Sequence, residues 1–185
     1  VCLFSKKAED VWERVKDTMM YQLEDPFVVR INGELVLGGT RVDFSRGKLS
    51  GFCGVFYKGT NLFNLYYFTT GPQQMKDIRY VQLTDGKVGV FSRPRGEEIR
   101  KKYGSEAVIG FTVLNSINEL DADVVEQATA IEGVFGRDEW GGCNQCLLLE
   151  NGKIGVIGHG CYNEFDGTIN QLVYTNIAFV FDPET

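Results

Sequence analysis

Short apolar stretches broken by turn residues run along most of this chain, and they carry more β than helical character. Three stretches repeat one pattern: "EDPFVVRINGELVLGGTR" from Glu24, "KDIRYVQLTDGKVGVFSRP" from Lys76 and "NQCLLLENGKIGVIGHG" from Asn144. Each has an apolar strand, an Asn-Gly or Asp-Gly pair, one Glu or Lys, and a second apolar strand. Such pairs predict hairpins, because both central residues of a type I′ turn need positive φ. The turn glycines, Gly33, Gly86 and Gly152, are spaced by 53 and 66 residues. That spacing leaves room for two more strands per copy, and further strand-like segments lie between the copies: 54–57, 65–68, 108–114 and 177–181. Four strands per unit predicts a propeller blade. A plain β-sandwich is the alternative.

Two regions depart from this rhythm. Residues 5–20 place Ala8, Val11, Trp12 and Val15 at helical spacing, so helix and strand-turn-strand both remain open there. Residues 121–127, opening on Asp121, predict a short helix. The charged run "GEEIRKK" over 96–102 reads as an exposed loop, and no linker divides the chain.

Composition narrows the function. The chain has 185 residues, 43% hydrophobic and 24% charged, which suits one folded domain with a core. With 22 glycines and 12% aromatics, an all-β, turn-dense protein is favoured. A net charge of −6 argues against a nucleic-acid surface. No run of about 18 apolar residues occurs, so no membrane span is expected. The five cysteines form an odd, scattered set rather than a disulfide framework, which points to a reducing, cytoplasmic setting. The chain opens on Val1 inside an apolar stretch, so its N-terminus is expected to be incomplete. The sequence leaves a homo-oligomer open.

Aligning the hairpins on their turn glycines exposes candidate chemistry. Asp25 and Arg41 lie eight residues either side of Gly33; Arg79 and Arg93 lie seven either side of Gly86; Asn144 and His159 lie eight before and seven after Gly152. Residues far from the turn end up side by side in an antiparallel hairpin. If the hairpins share an axis, one acid, several cations and the only histidine converge on one mouth, a set suited to an anion, since Arg matches phosphate oxygens bidentately. The bland reading has Arg41, Arg79 and Arg93 as solvated strand ends pairing with Asp43, Asp77 or Glu97. Asp25 has its own bland reading, a turn holder kept extended by Pro26. Cys143-x-x-Cys146 lacks a second pair and a metal-spaced His, so buried thiols are expected and no metal site. Trp140 suits either a sugar platform or the core.

The stretches "LEDPFVVRINGELVLGGT", "MKDIRYVQLTDGKVGVFSRP" and "EWGGCNQCLLLENGKIGVIGHG" resemble the five-bladed β-propeller mannoside phosphorylases of glycoside hydrolase family 130. They are most similar to the mannosyltransferase–phosphorylases of glycosyltransferase family 108. The resemblance implies a single propeller catalytic domain over 1–185, with about three blades visible. It implies inverting phosphorolysis or synthesis of β-1,2-linked mannosides, with inorganic phosphate, mannose 1-phosphate or GDP-mannose as co-substrate and no cofactor. Asp25 would be the general acid, and Arg79, Arg93, Asn144 and His159 the phosphate holders. Asn144 stands where the pattern has Lys, so one positive charge is missing. Arg41, Asp43, Asp77 and Trp140 complete the set as substrate-binding candidates. An inverting glycosidase of the same architecture would need a second carboxylate from Asp43, Asp77 or Glu139; a non-catalytic propeller binding a glycan or a protein is the third possibility.

Overall fold

The computed structural model describes residues 1–184. A two-stranded ribbon opens the chain, β1 (Phe4–Ala8) against β2 (Val11–Arg14). The region left open between helix and strands is therefore a hairpin. Its turn holds Asp10 at φ 59, and Val11 and Trp12 stay exposed, so no core stripe draws the segment into a helix.

Three antiparallel sheets follow, each built in chain order. The first is β3 (Glu24–Ile31), β4 (Glu34–Ser45), β5 (Lys48–Gly59) and β6 (Tyr66–Gln73). The second is β7 (Arg79–Gln82), β8 (Val88–Ser92), β9 (Gly110–Leu114) and β10 (Thr129–Ala130), and the third is β11 (Trp140–Leu148), β12 (Ile154–Phe165) and β13 (Asn170–Phe181). Up-and-down sheets of this kind are the blade pattern of propellers. The three predicted hairpins are β3–β4, β7–β8 and β11–β12, with Gly33, Gly86 and Gly152 at φ 84, 84 and 81 in their turns.

Apolar alternation decides which faces meet. Tyr80, Val88 and Val90 turn one face of the second sheet toward Phe27, Ile31, Val36 and Phe56 of the first. Val81 and Phe91 turn the other face toward Cys143, Cys146, Ile154 and Val156 of the third. The middle sheet is thus buried on both sides, which is why all five residues of β8 are buried. Phe27, Phe56 and Tyr80 meet edge to face, with centroids 5.1–6.5 Å apart. The leading strands β3, β7 and β11 touch one another, so their ends gather in one place.

At the turn end, neighbouring hairpins are tied by neutral amides. Asn32 N–H donates to Gln82 Oε1 at 2.7 Å, and Gln82 Nε2 donates back to Asn32 Oδ1 at 2.6 Å.

Two short helices link strands. As expected, α2 (Ala122–Glu126) starts at Asp121, whose side chain accepts from Val124 N–H at 2.8 Å. The run over 96–102 differs from its expected loop: Glu97–Tyr103 is helix α1. It buries nothing, so apolar spacing gave no sign of it. Charge and capping hold it instead. Glu97 and Glu98 open it and Arg100, Lys101 and Lys102 close it, Glu97 pairs with Lys101 at 3.1 Å, and Gly104 at φ 72 returns its N–H to Arg100 O.

Candidate active site

Backbone irregularity builds this site. The β3–β4 ladder slips between Glu24 and Phe27, leaving Asp25 and Pro26 in a bulge, and the β11–β12 ladder slips between Cys143 and Gln145, leaving Asn144 in another. Bulges re-aim side chains and often flank functional sites. Between them, Lys76 and Asp77 lead into β7. Asp25 sits at φ 45 and Asp77 at φ 61. The bland reading kept Asp25 extended before Pro26; the left-handed conformation found there is disfavoured by the proline ring and marks a position held by its surroundings.

The three sheets enclose a cavity of about 460 Å³. The first contributes Asp25 and Pro26, the second Lys76, Asp77 and Arg79, and the third Asn144, His159 and Tyr174. Of the aligned residues, Asp25, Arg79, Asn144 and His159 come together as expected. Arg93 lies close behind, buried, with Nη1 donating to Asp77 Oδ2 at 2.6 Å and its Nε buried without a partner. Arg41 does not join them. It faces solvent and pairs with Asp43 at 3.3 Å, as the bland reading had it. Counting evenly from Gly33 is already one residue out of register, since Ile31 pairs with Glu34, and the bulge adds another: Glu24 pairs with Thr40, so Arg41 lies past the end of β3. Trp140, half-buried opposite Cys161, and Glu139, whose carboxylate accepts from Gly136 N–H, lie outside the cavity lining.

Arg79 is the hub. Its Nε donates to Asn144 O at 2.8 Å, Nη1 to Ile78 O at 3.0 Å and Nη2 to Asp25 O at 3.3 Å, so one guanidinium ties all three sheets. The plane also packs 4.7 Å from the Phe27 ring centre. Two of its five N–H donors remain. Burial pushes Arg79 below its ordinary value, against the pull of nearby Asp77.

Asn144 is bonded twice. Its backbone carbonyl accepts from Arg79, as any residue's would, while its Oδ1 meets His159 Nδ1 at 2.7 Å, an acceptor role that a lysine side chain could not fill. Because Oδ1 can only accept, Nδ1 carries a proton; in the neutral ring Nε2 is then bare, and it lies 3.7 Å from Asp77 Oδ2. Burial lowers the His159 pKa from its usual 6.5, while Asp77 pulls it upward. Asp77 approaches this closely because Gly142 lacks a side chain; a Cβ there would lie 2.7 Å from Asp77 Oδ2.

Sequence alignment missed Lys76 and Tyr174. Lys76 precedes β7 and pairs with Asp25 Oδ2 at 3.7 Å. Tyr174 lies on β13, a third strand that aligning hairpins cannot reach. Its only visible signal was an aromatic among apolar residues.

All five cysteines are free, and a hydrogen bond to Cys146 together with burial raises the Cys143 thiol well above its ordinary value. Among the described residues no group of three or more His, Cys, Asp or Glu is placed to hold a metal ion, and no helix is long and apolar enough to cross a membrane.

Comparison with known proteins completes the picture. Residues 1–185 match the family described as protein of unknown function (DUF1861). A search of curated proteins finds no match. Among solved structures, MPT-4, a mannose phosphorylase from Leishmania mexicana solved in complex with phosphate ion, is 45% identical with a TM-score of 0.86, covering 99% of this chain and 55% of its own. MPT-1, a GDP-Man-dependent mannosyltransferase from Leishmania mexicana, is 42% identical with a TM-score of 0.83 over 99% of this chain and 55% of its own. An endo-arabinase from Bacteroides thetaiotaomicron shares the fold at 10% identity and a TM-score of 0.56, over 96% of this chain and 66% of its own. The chain thus spans about half the length of the two Leishmania proteins.

Proposed function

The chain belongs to the DUF1861 family, and on that footing we propose that it carries the acid and the anion-holding wall of an inverting mannosyl phosphorylase or transferase acting on β-1,2-linked mannosides. In the degradative direction inorganic phosphate accepts the mannosyl group from the mannoside, and in the synthetic direction mannose 1-phosphate or GDP-mannose donates it. Both kinds of chemistry appear in the names of the similar Leishmania proteins.

The observation that carries this reading is one open carboxylate facing one cationic wall. Asp25 keeps 55% of its side chain exposed at the mouth of a cavity also lined by Lys76, Arg79 and His159. Lys76 supplies the positive charge that Asn144 does not. An inverting hydrolase needs a second carboxylate free to activate water. Asp43 and Glu139 lie outside the cavity lining, and Asp77, although it lines the cavity, is a buried side chain that accepts from Arg93 through Oδ2 rather than a carboxylate free in the mouth. Phosphate is already a charged nucleophile and needs no base, so an acid and a cationic pocket suffice. The pocket holds the anion in line with the anomeric carbon and offsets its charge. Asp25 gives its proton to the leaving glycosidic oxygen, through a sugar hydroxyl where it does not reach directly.

Asp25→Asn tests the assignment. The expected result is a loss of about 10²- to 10⁴-fold in phosphate-dependent release of mannose 1-phosphate from a β-1,2-mannobiose, with the thermal midpoint retained. Undiminished release by the folded variant would remove Asp25 from the reaction.

A further inference from the structure

We propose that this pocket takes its oxyanion with a proton still attached, phosphate or arsenate rather than sulfate, and that Asp77 makes the distinction. The inference rests on the reading of the cavity as a phosphate site. It starts from an oddity: a wall meant to attract an anion also presents a carboxylate. Every contact of Asp77 with the described residues runs through Oδ2, to Arg93 at 2.6 Å and to His159 Nε2 at 3.7 Å, and the residue lines the cavity. Oδ1 therefore has no protein donor. Beside it, His159 uses its Nδ1 proton on Asn144 and brings Nε2 within 3.7 Å of Asp77 Oδ2, and both residues line the cavity. At 3.7 Å, Nε2 and Oδ2 are too far apart to share a hydrogen bond.

The wall thus offers two kinds of contact. Lys76 and the two remaining N–H groups of Arg79 are donors for bare anionic oxygens. Asp77 Oδ1, with His159 Nε2 nearby, is an acceptor to which no described residue donates. A phosphate monohydrogen dianion matches both: three bare oxygens for the cations and one hydroxyl for the carboxylate. Sulfate has the same size, shape and charge but no proton at neutral pH. It would set a bare oxygen against the Asp77 carboxylate, leaving a buried acceptor unpaired and two like charges in contact. No bond is made or broken in this step; the phosphate keeps its proton and attacks through another oxygen.

Calorimetric titration of the purified protein at neutral pH with inorganic phosphate, arsenate and sulfate, at matched ionic strength, tests the idea. The expected result is that phosphate and arsenate bind alike and sulfate binds about tenfold or more weakly, the scale on which a site built for a hydroxyl rejects an analogue without one. In Asp77→Asn, whose amide can donate, the ratio of sulfate to phosphate affinity should rise about tenfold, while Asp77→Glu should keep sulfate excluded. Sulfate binding within about twofold of phosphate in the unaltered protein would overturn the inference, and this comparison needs no variant to fold. A folded Asp77→Asn that still excludes sulfate would overturn it too. If neither phosphate nor sulfate binds, the phosphate-site reading falls with it; if both bind equally, that reading stands and only the role of Asp77 falls.

Discussion

Asp25 and Asp77 stand at the entrances of sister strands, β3 and β7, both in left-handed backbone at φ 45 and 61, and both line the same cavity. Their surroundings differ sharply. The Asp25 side chain is 55% exposed, with Lys76 at 3.7 Å; that of Asp77 is 3% exposed, with Arg93 at 2.6 Å. One aspartate is left open to meet ligand and solvent, while the other is locked to a buried cation. The contrast comes from what stands behind each. Arg93, at the end of β8 in the middle sheet, reaches Asp77 through the core, whereas Asp25 sits on a bulge facing outward. The entrances of neighbouring hairpins can thus leave one aspartate open and lock the other to a buried cation.

The same substitution at both sites measures that difference. Asp77→Asn leaves the buried Arg93 guanidinium without its charge partner, a change expected to cost about 3 kcal/mol or more. Asp25→Asn removes only a long, exposed pair, worth about 0–1 kcal/mol, and Asn tolerates left-handed backbone as Asp does. Urea unfolding of the two variants should therefore separate them widely, with the larger loss of midpoint at Asp77. Equal midpoints would mean that the Asp77–Arg93 pair carries no more than a surface contact.

Gly142→Ala sharpens the comparison from the other side. The new methyl would sit 2.7 Å from Asp77 Oδ2 and 2.9 Å from its Cβ, so either the carboxylate or the β11 backbone must move. Overpacking of this kind costs about 1–3 kcal/mol. Phosphate binding should weaken as well, because the displaced carboxylate also faces His159. Unchanged stability with unchanged binding would show that Asp77 has room to retreat.

What the sequence made legible follows the range of each signal. The three hairpins were readable because Asn-Gly and Asp-Gly turns are local and need nothing distant to specify them. Asp25, Arg79, Asn144 and His159 were readable because counting from the turn brings each to the open end of its hairpin, even where a bulge shifts the pairing by one. Arg41 was misplaced because the count from Gly33 runs one residue out of register and the bulge at Asp25 adds another, and a bulge leaves no mark that counting detects. Lys76 was missed because it precedes its strand, and Tyr174 because it lies one strand farther out. The helix at 97–103 was missed for a different reason: it buries nothing, so only its charges and Gly104 announce it. The pairing of Asp77 with Arg93 had been suggested, but as a solvated contact. Its burial follows from the packing of the third sheet over the second, which no short window contains.

The smallest expected effect uses the chain's single histidine. His159 lies between the two aspartates electrostatically. Burial lowers its pKa below the usual 6.5; Asp77 and Asp25 oppose that shift, while Arg93 and Lys76 reinforce it. A depressed folded-state pKa means that the unfolded chain takes up the proton first as pH falls. The stability that His159 contributes is then complete above about 6.5 and is lost as pH drops through its folded value. The thermal midpoint should accordingly decline as pH is lowered from about 7, before the carboxylates titrate. His159→Gln should flatten that part of the curve, and the single imidazole resonance should titrate with a midpoint below 6.5. Asp77→Asn should move that midpoint further down, because the removed carboxylate is the largest influence holding it up, and Asp25→Asn should move it less. A midpoint above 6.5, or equal responses to the two substitutions, would mean that the imidazole does not distinguish the locked aspartate from the open one.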